Sequence, residues 1–217
     1  MINSFKQFLI LISPIFFAYS ICSAAPTPNM WHFTIYGGYS LLNSSQFPGT
    51  ATNGSITLDG KISSTYENSG YGGAEIGRFK NDAIFVKAGA RAMPYRLVKS
   101  ANFISDSGMK QTVPITNPYS YKLTSYYVDA GYSEKSVYIF TGLHYAVFDF
   151  SFPSSTVPFK PQNGFGLQFG IGYLFDDMFS VEALLAATAV GVASGADYST
   201  QESYTFTDLM TAFRISF

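Results

Sequence analysis

Charge is scarce in this sequence: Lys, Arg, Asp and Glu together make up 12% of its 217 residues, about half the usual share. The net charge of -1 gives no hint of a nucleic-acid partner, no Lys/Arg block stands out, and none is expected. Cys22 is the one cysteine, so a chain shortened beyond it has neither a disulfide nor a thiolate metal site to order it. Past Ala25 no apolar run approaches the roughly 20 residues of a spanning helix, one ambiguous stretch near Ala183 aside. Tryptophan and histidine are almost missing, at one and two residues. What is plentiful is Tyr (16), Phe (21) and Gly (19). An aromatic-rich, charge-poor chain without spanning helices is the composition of a membrane β-barrel, whose signal is spread over many short segments.

The first residues, "MINSFKQFLILISPIFFAYSICSAAPTPN", carry Lys6, an apolar run from Phe8 to about Ala18 and small residues up to Ala25. This is the layout of a secretory signal peptide. Residues 1–24 are expected to be removed, with the cut after Ala24 or Ala25, leaving one exported domain over 25–217. A lipidated N-terminus at Cys22 is disfavoured, because Tyr19-Ser20-Ile21 offers no small residue just ahead of it.

The clearest later segment is "GFGLQFGIGYLF", with Phe165, Leu167, Phe169, Ile171, Tyr173 and Phe175 on one parity and small or polar residues on the other. Period two over that length is a strand with one apolar face. Seven more segments share it: "WHFTIYGGYS", "GYGGAEIGRF", "AIFVKAGARAM", "YKLTSYYVDAGY", "VYIFTGLHYAVF", "FSVEALLAATAV" and the terminal "TAFRISF". The alanine-rich "FSVEALLAATAV" suits a helix by propensity, but a helix there leaves unpaired edges in lipid, so a strand is expected. Connections alternate: tight turns at 80–82, 133–135 and 176–178, and long Ser/Thr/Asn-rich loops at about 41–69, 97–119, 151–163 and 193–204. The expected fold is all-β, an eight-stranded antiparallel up-and-down transmembrane β-barrel.

Charge placement tests that fold, since a lipid-facing Arg or Lys at mid-bilayer costs about 2–4 kcal/mol. With the apolar parity outward, the lumen receives Glu75, Lys87, Arg91, Asp129, His144, Gln168, Glu182, Asp208 and Arg214, nearly balanced in sign. Arg78, Lys122 and Asp149 fall outward, each at a strand end where water is in reach. Aromatic girdles are expected from Trp31, Phe79, Tyr132, Tyr173, Phe179 and Phe217 near the turns. Tyr39, Tyr71, Tyr95, Tyr121, Phe150 and Phe165 form the second girdle, near the loops.

On the "YYVDAGY" strand, the "GFGLQFGIGYLF" strand with its "DDM" turn and the terminal aromatic-x-apolar-x-Phe, the chain from Trp31 to Phe217 resembles the small outer-membrane barrels of the OmpA and OmpX/Ail type. The resemblance implies a Gram-negative outer-membrane protein without a cofactor. It also implies that Phe213, Ile215 and Phe217 are the assembly signal read by the barrel-assembly machinery. Expected partners are outer-membrane lipid, lipopolysaccharide and host surface molecules met by the loops.

Catalysis finds little support. His32 sits at the turn end, and His144 lacks the nearby serine and asparagine of a lipid-deacylase pattern. Asp176-Asp177 in a short turn is a poor metal pair, and "GFGLQFG" lacks the spacing and following helix of a dinucleotide loop. Eight strands enclose a space that side chains fill, and Tyr127, Tyr138, Phe140, Leu184 and Met210 share the lumen parity. The expected function is therefore non-enzymatic: envelope integrity and surface-loop binding of the adhesin type. A narrow OmpW-like channel or small-molecule carrier is the alternative, with a lipid-modifying enzyme behind it. Loop residues Tyr66, Phe103, Ile104, Met109, Tyr119 and Phe152 either form a partner surface or fold back over the mouth.

Overall fold

The computed structural model describes residues 30–217 except 54–55, 81–82, 114, 116–118, 152–158, 177 and 195–199. The expected leader, with Ala24 and Ala25, lies outside the described residues, as do Phe152 and Asp177. The described residues form ten strands: β1 (Trp31–Asn53), β2 (Ile56–Tyr66), β3 (Gly70–Lys80), β4 (Ile84–Ser105), β5 (Lys110–Val113), β6 (Ser120–Glu134), β7 (Val137–Ser151), β8 (Phe159–Leu174), β9 (Phe179–Ser194) and β10 (Thr200–Ser216).

Eight of them close into a hydrogen-bonded antiparallel ring in the order β1, β3, β4, β6, β7, β8, β9, β10 and back to β1. The seam joins β1, the first described strand, to β10, the last. Thr34 stands opposite Ser216, and Phe33 and Phe217 exchange both backbone hydrogen bonds, at 3.1 and 2.8 Å. A closed ring leaves no unpaired edge, which is what lets strands sit in lipid.

The alanine-rich segment is strand β9, paired along both edges. Its inward row, Ser180, Glu182, Leu184, Ala186, Thr188 and Val190, is buried, while Leu185 on the other parity is exposed. Pairing on two sides satisfies every backbone group that a helix would have satisfied internally, so the weak helical preference of alanine is overridden.

Two of the expected loops are largely strand. The sheet continues above the ring: β1 runs on to Asn53, β2 returns between β1 and β4 from Ile56 to Tyr66, and β4 extends to Ser105 with β5 on its far side. "ITLDGKISSTY" is rich in Ile and Thr, which suit a pleated surface. Its polar content is that of a loop, and its pairing with β1 and β4 is what makes it a strand. Parts of 151–163 and 193–204 are strand as well, since β8 begins at Phe159 and β10 at Thr200.

Turn chemistry is local. The β6–β7 turn is the pair Lys135-Ser136, with Lys135 at a φ of 56°. In the β8–β9 turn, Asp176 Oδ1 accepts backbone hydrogen bonds from Met178 (2.8 Å) and Phe179 (2.6 Å), which gives that acid a structural task. Gly108, at a φ of 87°, closes the β4–β5 turn by donating to the Ser105 carbonyl at 2.8 Å.

Candidate functional site

Inside the ring the inward glycines and aromatics are fitted to one another across neighbouring strands. Tyr138 faces Gly172, Phe140 faces Gly170, His144 faces Gly166 and Phe85 faces Gly131. A Cβ on Gly170 would lie 2.1 Å from the Phe140 ring, and one on Gly172 2.0 Å from Tyr138. Glycine is required there because a ring already lies over the backbone.

All nine residues of the expected lumen set are buried inside the ring. Together with Arg96, among the described residues, they place four acids (Glu75, Asp129, Glu182, Asp208) against four bases (Lys87, Arg91, Arg96, Arg214). The charges are organised at two levels.

The turn-side level is a connected ion layer. Glu182 Oε2 accepts from Lys87 Nζ at 2.8 Å, from Arg214 Nη1 at 2.9 Å and from the Tyr138 hydroxyl at 3.1 Å. Arg214 also pairs with Glu75, and Lys87 lies 3.7 Å from both Glu75 and Asp129. Tyr127 donates to Glu75 at 2.7 Å and shares a 2.9 Å hydroxyl contact with Tyr36. Lys87 Nζ stands 3.8 Å from the centre of the Phe140 ring. Arg214 thus points at Glu182 and Glu75 but does not pair with Asp129, which instead accepts from Gln168 at 2.5 Å. Gln168 in turn accepts from Arg91 at 2.6 Å.

Higher up, Arg96 is held by Asp208 (2.8 Å), Ser69 (2.8 Å) and Met93 Sδ (2.8 Å). Parity counting misses Arg96 because the β4–β6 register slips between Met93 and Arg96, turning the residue inward. Pro94 within that stretch is the sequence signal for such an irregularity. His144 is buried between strands, its Nε2 2.7 Å from Thr188 Oγ1.

Above this level the lumen turns aromatic. Tyr66, Tyr121, Phe148 and Phe206 pack together with Tyr119 and Phe150 at their margin, the ring centres 4.7 to 6.3 Å apart. Tyr66 joins Ser45 (2.7 Å) and Tyr119 (2.9 Å), and Tyr121 donates to Asn43 (2.8 Å). Burial raises the Tyr66 hydroxyl well above the ordinary phenol range, so it stays neutral. Of the expected loop residues, Tyr66 and Phe103 are buried and Tyr119 folds against the cluster, while Met109 is 61% exposed.

This cluster corrects the loop-side girdle. Tyr71 and Tyr121 are buried in the lumen, and Phe150 packs half-buried against the core. Tyr71 shares its parity with Glu75, and Tyr121 with Asp129, so the alternation that places the acids inward places these rings inward too. Tyr39, Tyr95 and Phe165 do face outward, and so do Trp31, Tyr132, Tyr173 and Phe217 at the turn end. Phe179 is half-buried and stacks on Phe213, while the side chain of Phe79 lies outside the described residues.

The outer wall between these levels is apolar: Ile35, Ile76, Val86, Val128, Leu143, Leu167, Phe169, Ile171 and Leu185 are all exposed. Arg78 lies near the turn end, 5.7 Å from the Trp31 ring, and Lys122 pairs with Asp149 at 2.8 Å near the loops, both groups half exposed.

The outer membrane protein OprG of Pseudomonas aeruginosa superposes on this chain with a TM-score of 0.50 and 14% identity, over 91% of this chain and 99% of OprG. The fold is that of a small outer-membrane β-barrel. AlkL (TM-score 0.47, 14% identity, 92% of this chain and 95% of AlkL) is also similar. So is Ail of Yersinia pestis in complex with a heparin analogue (0.43, 11%, 85% of this chain and 98% of Ail). No family model and no curated protein matches the sequence.

Proposed function

We propose that this protein is a non-enzymatic barrel of a bacterial outer membrane, of the OmpA and OmpX/Ail kind, whose filled lumen is a scaffold for surface binding. The carrying observation is the inversion of the two faces: an exposed apolar band outside, and a charge-balanced network inside. A soluble monomer rarely exposes so large an apolar surface, whereas lipid covers it at no cost. Binding then belongs to the sheet that rises above the ring, β1, β2, β4 and β5, where exposed groups such as Met109 stand on a rigid support. Host surface molecules and lipopolysaccharide are the partners we infer for it. Export through a cleaved signal peptide belongs to the same reading.

The location is tested by heat-modifiable gel mobility of the outer-membrane fraction. A folded band that shifts on boiling is expected, and a soluble periplasmic protein without a shift overturns the reading. Against the narrow-channel alternative stands the tight filling around the ion layer, where among the described residues a turn-side recess holds about 50 Å³ and an inner one about 10 Å³. Pure protein in planar bilayers is expected to give no stable unitary conductance. For catalysis, His144→Ala is expected to leave outer-membrane lipid composition unchanged. The terminal Phe213, Ile215 and Phe217 serve as the signal to the barrel-assembly machinery in this proposal. Deleting Phe217 is accordingly expected to lower assembled barrel more than synthesis.

A further inference from the structure

Among the described residues, five buried side-chain polar atoms lack a protein hydrogen-bond partner, and two of them, Arg91 Nε and Asp129 Oδ2, have opposite character and belong to residues that line one cavity. Arg91 Nε carries a proton to donate, and Asp129 Oδ2 carries lone pairs to accept one; both residues are more than nine-tenths buried. The side chains are already linked on their other sides, since Arg91 Nη2 donates to Gln168 Oε1 and Gln168 Nε2 donates to Asp129 Oδ1. The chain Arg91–Gln168–Asp129 therefore ends in a spare donor at one extremity and a spare acceptor at the other. Lys87 Nζ, 3.7 Å from Asp129 Oδ2, is too distant to satisfy it as a hydrogen-bond donor.

Arg91, Gln168 and Asp129 line the same inner cavity, closed by Tyr36, Tyr127 and Leu184 among others, with a volume of about 10 Å³. One water needs about 10–15 Å³ of such space. Leaving both atoms unsatisfied would carry the desolvation penalty of a buried donor and of a buried acceptor with nothing to offset it.

We propose that this cavity is a binding site for a single long-lived water molecule, which accepts from Arg91 Nε and donates to Asp129 Oδ2. The occupant must accept and donate at once. A cation would be repelled by Arg91 and an anion by Asp129, and either is larger than the space once hydrated. The water closes a polar ring, Arg91–Gln168–Asp129–water, that ties β4, β6 and β8 together across the lumen. Two members of the ion layer, Glu182 and Arg214, also line the cavity, and Arg214 stands between it and the turn-side recess that it borders with Glu75 and Lys87. Exchange with bulk water is correspondingly slow.

The test uses the native protein, ¹⁵N-labelled and refolded in lipid nanodiscs. Cross-relaxation between water and the Arg91 Nε–H proton is recorded in both laboratory and rotating frames, because the sign distinguishes a bound water from chemical exchange. A dipolar cross-peak of bound-water sign is expected. Its absence, or a peak of exchange sign alone, overturns the proposal. A high-resolution crystal structure gives the second readout: one ordered oxygen about 2.7–3.2 Å from both Arg91 Nε and Asp129 Oδ2. Density in which either atom bonds a protein group directly contradicts it.

Discussion

The two levels of the lumen are filled by opposite chemistry. On the turn side, Glu182 binds Lys87, Arg214 and Tyr138 at one oxygen, and every charge depends on another. Toward the loops, Tyr66, Tyr121, Phe148 and Phe206 fill the space by packing. An ion layer fails abruptly, because removing one member strands its partners in a place without water. An aromatic cluster fails by degrees, in proportion to the volume left empty.

The largest effect should come from Glu182→Ala, which leaves Lys87 and Arg214 short of an acceptor. A loss of about 3–5 kcal/mol is expected in urea unfolding from lipid vesicles. If it costs no more than a packing change, the distinction between the levels collapses. Gly170→Ala is expected to cost about 1–3 kcal/mol by the same measurement, since the added methyl meets the Phe140 ring and that ring supports Lys87. In the aromatic level, Phe206→Leu keeps an apolar group of near size and should cost less than about 1.5 kcal/mol. A larger loss than for Gly170→Ala would mean that the loop-side cluster, not the ion layer, is the less tolerant half. Outside the lumen, Lys122→Ala removes an exposed pair screened by solvent, and no measurable shift of the unfolding midpoint is expected.

Much of this lumen is legible in the sequence because a strand's alternation is rigid. Once Val128 and Tyr126 point outward, Asp129 and Tyr127 must point inward. The same rule reaches Tyr71 and Tyr121, whose burial follows from their neighbours' parity once aromatic character is not taken as a sign of the membrane interface. Arg96 escapes it. Alternation holds only within one register, and the slip next to Pro94 resets the count.

The extent of the sheet is the other thing that residue patterns leave open. Polar strands above the ring carry the composition of loops, since both kinds of segment face water. What distinguishes β2 from a loop is that β1 and β4 lie on either side to take its backbone hydrogen bonds.

By itself the sequence determined which side of each strand is apolar, because period two is a local property of the chain, and with it the inward set of charges. Only the tertiary structure decided which charges meet. Glu182 finds Lys87, 95 positions away in the chain, because four strand pairings set the two at one level across the ring. That distance is a sum of registers, and no single stretch of residues contains it.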